Sequence, residues 1–449
     1  YKTPDGIYCL MTEADLTGNY WGSCVTSIYT KIMKLNHSAQ QTEAVTLSGQ
    51  AKLPWRVFIA GTLEEVIKSQ MVENVATRAD TSGTDWDWVE AGVTAWSWMS
   101  GLNTARPSWS GDWDDPNNPW YASYTGQGYQ GNPEAIKKYI DLAAEMGWKY
   151  FIMDEGWQPW VRIANKNKVK NYTGGYDTEE IKPGYQNFDR WYEGVYDWMT
   201  SKSKYWTQGY ESTTTYTAGS YTGEKIIDYA NRKGVKLIAW LHTGICDTPT
   251  RMDRVFSMLQ DIGIAGIKID FFDSENQATM EIYQELYQKT AQYHLLGNFH
   301  GSNKPSGERV TYPNVTNREA INGEENNNTR INQHSILAYV RGTVGPTDLT
   351  PYITTVGRGD TNMASQMAFS VIYESGMTCF ASTADEYLAL RDEVKYYYKN
   401  FPGRWADLKL LSGEVGENMS IARKTEDGKW YIGSISEKSR TDTFSLDFL

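Results

Sequence analysis

The sequence predicts an α/β protein, a (β/α)8 TIM barrel flanked by β-sandwich segments at both ends, and three observations predict it. Helix-like segments alternate with short apolar runs through the middle of the chain. Those runs end in acidic, aromatic or histidine residues, while both chain ends carry short alternating stretches without a helical period. At 449 residues the chain also exceeds one ordinary domain and suits a barrel with appendages.

Each element follows in order. TSIYTKIMKL at 26–35 typifies the strand-like stretches of residues 1–60, and TLEEVIKSQMVENVA at 62–76 reads as an amphipathic helix or an extended connector. GVTAWSWMSG at 92–101 is expected as the first barrel strand. The helical pattern at 133–147 then leads into WKYFIMDEGW, that at 223–234 into VKLIAWLHTG, that at 249–263 into IAGIKIDFFD, and that at 275–293 into HLLGNFHG. Pro, Gly or acidic residues open these helices and Gly tends to close them, as capping chemistry prefers. Such short joins require parallel strands with crossover helices. GMTCFAS at 376–382 is expected as the last strand, residues 160–222 as a long insertion, and the stretches at 418–424 and 429–436 as a β-domain.

Composition narrows the function. A net charge of −12 argues against nucleic acid and anionic membrane as partners. No run approaches the ~20 apolar residues that a membrane helix needs. The 18 Trp and 31 Tyr suit the apolar faces of sugars, although barrel cores also consume aromatics. Four cysteines without CxxC spacing and five histidines indicate neither a zinc site nor a disulfide framework. The chain opens on Tyr1 and ends mid-pattern at Leu449, so it reads as a processed product, a trimmed one or a fragment.

In such a barrel the active site lies at the C-terminal strand ends. Those ends carry Asp154 and Glu155, Trp240 and His242, Asp270 and Asp273, and Asn298 and His300. Glycoside hydrolysis needs two carboxyls flanking the scissile bond, one of them held protonated. Asp270 closes the apolar run GIKID and is the best nucleophile candidate; Lys268, on the same side of the strand, would keep it ionised. The competing reading makes Asp270 a helix cap. Glu319, Glu324 and Glu325 lie in a polar stretch that offers an acid/base and ligands for a hard cation, or is simply a solvated acidic loop. Asp154 and Glu155 suit a clamp on sugar hydroxyls, and equally a salt bridge. His242 and His300 suit hydroxyl donation or a structural role, and Trp96, Trp98, Trp157 and Trp240 suit sugar platforms or core. Asp348 in GPTD is a strand-end residue of the seventh unit or a turn residue.

MTEADL at 11–16, PWRVFIAG at 54–61, FIMDEGW at 151–157, GIKIDFFD at 266–273, KPSGERVTYPN at 304–314, REAINGEE at 318–325 and GPTDLTP at 345–351 together resemble glycoside hydrolase family 97. The resemblance runs over nearly the whole chain and implies an N-terminal β-sandwich, a central barrel and a C-terminal β-domain. It makes residues 1–60 the remnant of the first, 61–408 the catalytic barrel and 409–449 the start of the last. The family's inverting branch has Gly where this chain has Asp270, and a Glu base after the strand-5 His, where this chain has Gly301. The resemblance is therefore to the retaining, α-galactosidase-like branch, with Asp270 as nucleophile and Glu325 as acid/base. It also implies Ca2+ held by Glu13, Glu319 and Glu325, an exported and periplasmic location, and an oligosaccharide or α-galactoside substrate. An α-glucosidase or a β-L-arabinopyranosidase would use the same carboxylates, and a non-catalytic carbohydrate-binding protein would have no need of the pair.

Overall fold

A computed structural model describes residues 1–16, 18, 20–27, 34–37, 45–79, 85–98, 133–154, 225–272, 274–326, 329–353 and 359–448. The expected insertion at 160–222 lies outside them. The chain divides into two compact units: residues 1–92, 270–379 and 402–449 in one, residues 93–269 and 380–401 in the other.

The first unit begins with four strands, β1 (Tyr8–Ala14), β2 (Ser23–Ser27), β3 (Lys34–His37) and β4 (Trp55–Gly61). β1 pairs antiparallel with β4 and β2 with β3. The segment at 62–76, read from sequence as one helix or a connector, forms two short helices, α1 (Leu63–Ile67) and α2 (Met71–Val75). Thr62 starts α1 with a capping box to Glu65. The break follows because the Ser69 hydroxyl accepts the Met71 N–H at 3.2 Å, an alternative to the helical ladder. Each helix turns a valine inward: Val66 and Val72 join Leu10, Ala14, Val57, Ile59 and Val344 in one core cluster, while Met71 is exposed.

The second unit carries the first half of the α/β rhythm. β5 (Gly92–Trp96), α3 (Pro133–Met146), β6 (Tyr150–Met153), α4 (Ile226–Lys233), β7 (Lys236–His242), α5 (Pro249–Ile262) and β8 (Gly266–Asp270) follow in turn. β5, β6 and β7 pair in parallel, in chain order, with Thr94 opposite Tyr150 and Tyr150 opposite Lys236. The ends of α5 explain its length. Thr248 caps the N-terminus, Pro249 occupies the first turn, and Gly263, at φ +91°, takes the left-handed conformation that closes the helix. Phe151, Ile152, Leu237, Ile238, Ile267 and Ile269 are completely buried. Each contributes roughly 1.5–3 kcal/mol by removal from water.

The rhythm continues in the first unit with α6 (Gln277–Gln292), β9 (Leu296–Phe299), β10 (Val315–Arg318), α7 (Ile331–Val340), α8 (Met363–Ile372) and β11 (Met377–Phe380). β10 lies parallel to β9, and a parallel bridge from Arg318 to Thr347 stands where the seventh strand was expected. α9 (Ala384–Leu388) and α10 (Asp392–Lys399) belong to the second unit. The antiparallel sheet β12 (Asp407–Glu414), β13 (Asn418–Lys424) and β14 (Trp430–Ser436) closes the first. Met419, Ile421 and Ile435 of this sheet pack on Phe369, Ile372 and Tyr373 in a second core cluster. Among the described residues no helix is long and apolar enough to cross a membrane.

Candidate active site

In the second unit Asp154, just past β6, is 2% exposed and paired with the equally buried Lys268 of β8, Nζ to Oδ2 2.6 Å. The Trp96 indole N–H donates to the same oxygen, and the Lys268 ammonium lies 4.5 Å from the Trp96 ring centroid. A buried carboxylate and ammonium remain charged only when paired and bonded in this way. The sequence assigned Lys268 to Asp270; the ion pair it forms here is with Asp154. Two donors occupy Asp154 Oδ2, so a sugar hydroxyl would have to use the other oxygen. Trp240 is 1% exposed, its ring packed rather than open as a sugar platform. His242 Nδ1 accepts the Gly244 N–H at 3.0 Å, which places the proton on Nε2 and leaves that nitrogen as a donor. Glu155 and Trp157 lie outside the described residues, as does Asp273.

In the first unit Asp270 is half-buried at the end of β8, its Oδ1 accepting the Phe271 N–H at 2.8 Å. It does not cap the next helix, since Asn276 caps α6. Phe271 has φ +66°, a costly backbone for an aromatic residue and one that is concentrated at functional sites. Gly301 explains what surrounds the carboxylate. At φ +50°, a Cβ on Gly301 would meet Phe271 N at 2.9 Å and Asp270 Oδ1 at 3.0 Å. Asp270 and Phe271 can approach residue 301 this closely because it has no side chain.

A network extends from this point. The Gly301 N–H donates to Glu319 Oε2 at 2.7 Å, and His300 Nδ1 lies 3.7 Å from that oxygen. His300 Nε2 is 2.8 Å from Asp348 Oδ2, which also accepts from Asn298 at 2.7 Å and from the Cys379 thiol at 3.4 Å. Burial pushes the Asp348 carboxyl up, but His300 and these hydrogen bonds outweigh it and hold the group below the usual carboxylate range. His300, Glu319 and Glu325 each present a donor atom, all within 4.8 Å of one another.

Glu324 and Glu325, indistinguishable by spacing, face different surroundings. Glu325 is half-buried beside His300 and Glu319. Glu324 is completely buried and accepts from His334, Thr329 and Gln366. Glu13 is also buried, paired with Arg56 at 3.0 Å and Lys304 at 2.7 Å, and is not part of the His300 group. Sequence reasoning passed over Cys379, His334 and Gln366. Nothing local marks them, because their partners lie 10–42 residues away.

Parallel strands alternating with helices, carboxylates at the strand ends and β-sheets at both chain ends define a barrel enzyme architecture. A solved family 97 glycoside hydrolase from Pseudoalteromonas sp. strain K8, in complex with acarbose, has this fold: its TM-score is 0.75 at 22% identity, covering 100% of this chain and 65% of that one. Three models of one family match: "Glycosyl-hydrolase 97 N-terminal" over residues 1–77, "Glycoside hydrolase 97" over 184–321, and "Glycosyl-hydrolase 97 C-terminal, oligomerisation" over 404–449. The chain belongs to glycoside hydrolase family 97. A probable retaining α-galactosidase of Streptomyces bingchenggensis is 28% identical over 430 residues, 95% of this chain and 56% of that protein. A retaining α-galactosidase of Bacteroides thetaiotaomicron is 24% identical over 409 residues, 87% of this chain and 51% of that protein. The chain thus spans about half the length of the curated relatives it matches.

Proposed function

We propose that this chain carries the catalytic barrel of a retaining exo-α-glycosidase, an α-galactosidase acting by double displacement. The observation that carries the reading is a strand-end Asp270 packed against a glycine at 301, where any side chain would crowd the carboxylate. The names of the two curated relatives support the same activity. In the first step Asp270 attacks the anomeric carbon as the bond to the aglycone breaks, and Glu325 gives its proton to the departing oxygen. In the second, Glu325 takes a proton from water, the water oxygen attacks the anomeric carbon, and the ester to Asp270 breaks. Two inversions yield net retention. Glu325 rather than Glu324 suits the acid/base role, because Glu324 is buried and held by three side chains.

Ca2+ belongs to the same proposal. It takes oxygen ligands, and Glu319 and Glu325 fit as donors within the His300 group. Glu13, paired with two cations, fits less well. Bound there, the ion would supply positive charge beside the acid/base.

Proton NMR of the first product from 4-nitrophenyl α-D-galactopyranoside tests the reading. α-Galactose appearing first supports retention; β-galactose first overturns it, and no cleavage overturns the choice of substrate. Gly301→Ala is expected to lower kcat/KM by about tenfold or more, since each ~1.4 kcal/mol of lost transition-state stabilisation is a factor of ten. The added methyl meets Asp270 Oδ1 at 3.0 Å and must adopt φ +50°. Steady-state kinetics and a thermal melt check this, and unchanged kinetics would contradict the crowding argument.

A further inference from the structure

We propose that Glu324 is a positioning residue, a buried carboxylate anchor that sets where the neighbouring Glu325 carboxyl stands. The inference rests on the acid/base reading of Glu325. Both glutamates occupy the centre of a turn from Gly323 to Asn326, closed by the Asn326 N–H donating to the Gly323 carbonyl at 3.0 Å. At the first central position, Glu324 turns inward and is completely buried. Its Oε1 lies 2.7 Å from His334 Nε2 of α7; its Oε2 accepts from Gln366 of α8 and from the Thr329 hydroxyl at 3.2 Å. Its own N–H donates to the Leu349 carbonyl at 2.9 Å. At the second central position, Glu325 turns to the His300–Glu319 group.

The anchor is itself braced. His334 Nδ1 is 3.0 Å from the Tyr373 hydroxyl, and the His334 ring is 4.1 Å from that of Phe369. Burial, then the Glu324 charge, raises the Tyr373 phenol well above its ordinary value. It keeps its proton and can donate it to Nδ1, leaving Nε2–H for Glu324. One carboxylate therefore ties the turn to two helices and a loop. A turn residue that follows so fixed a neighbour has little freedom, and the bonds of Glu324 restrain Glu325 in addition to its own contacts. Glutamine at 324 would turn an NH2 against at least one of these donors and release the turn. A displacement of about 1 Å at a reacting group is enough to cost on the order of a hundredfold in rate.

The test separates loss of proton donation from general damage. Two α-galactosides are compared, one with a methyl aglycone, whose departure needs a proton, and one with a 2,4-dinitrophenyl aglycone, which departs without one. For Glu324→Gln we expect kcat/KM on the methyl galactoside to fall by about a hundredfold, with the dinitrophenyl substrate nearly unaffected. Glu325→Ala should show the same selectivity in a stronger form. Gln366→Met removes one donor while leaving the carboxylate; it should show a smaller selective loss, and it serves where Glu324→Gln folds poorly in a thermal melt. Equal losses on both substrates, or no loss, in folded Glu324→Gln and Gln366→Met overturn the inference while leaving a selective Glu325→Ala intact. A non-selective Glu325→Ala overturns the acid/base reading, and this inference with it.

Discussion

Asp270→Ala is expected to lose about four orders of magnitude in kcat, the scale seen when one member of a catalytic set is removed while binding and charge stabilisation remain. The loss should be chemical rather than structural. Asp270 is half-buried at a strand end, where its Oδ1 accepts the Phe271 N–H at 2.8 Å. Hydrogen bonds of this kind contribute about 1 kcal/mol each, far less than the loss in rate expected, and a thermal melt of the variant checks that the fold is kept. Azide is small enough to enter the space left by the carboxylate and attack from the same side. It should restore turnover through a β-galactosyl azide, detectable by NMR or mass spectrometry. A variant that retains a tenth or more of the parental rate, or that azide does not rescue, would remove Asp270 from the nucleophile role.

Arg318→Met should give the largest loss of stability. The guanidinium is 2% exposed; its Nη1 donates to the Tyr287 hydroxyl at 2.6 Å and lies 3.1 Å from Glu308 Oε1, with Cζ 4.2 Å from the Tyr283 ring centroid. Removing it leaves the Glu308 carboxylate, whose side chain is 8% exposed, with the Ser306 donors but without its cation, which costs about 3–5 kcal/mol. The pH dependence carries the sign. Burial pushes the Glu308 carboxyl up, but Arg318 and the Ser306 N–H outweigh it and hold the folded-state value below the ordinary one. A lowered folded-state value contributes stability above the unfolded carboxylate value of about 4.3, and that contribution is lost as pH falls through the folded value. Without Arg318 the carboxyl should instead take up a proton readily. The penalty of Arg318→Met should therefore be full at neutral pH and shrink on acidification, and Glu308→Gln in the Arg318→Met background should recover part of it. Thermal melts at neutral and acidic pH check this; a penalty independent of pH would mean that lost packing outweighs the stranded charge.

The barrel rhythm was legible because its signals are local. Pro249 and Gly263 bracket α5, apolar runs mark the buried strands, and strand ends expose the polar residues. The break between α1 and α2 was not legible, since it turns on one serine hydroxyl competing for a backbone donor. The place of Asp270 could be read because an acidic residue ends an otherwise apolar strand, and β8 does end there. The partner of Lys268 could not. Its ion pair is with a residue 114 positions away, whereas the sequence suggested one two positions away. Glu324 and Glu325 look alike in a polar run, and only the packing of α7 and α8 separates a buried anchor from a group facing the site. Glu13 is likewise occupied by Arg56 and Lys304, neither of them near it in sequence.

The contact between Gly301 and Asp270 also constrains how such a chain can change over generations. A Cβ at residue 301 would lie 2.9 Å from Phe271 N and 3.0 Å from Asp270 Oδ1, so the glycine and the aspartate are sterically coupled. Any side chain gained at 301 crowds the aspartate, and the left-handed backbone there adds to the strain. A lineage that acquires such a side chain is expected to alter residue 270 as well, so the two positions change together rather than singly.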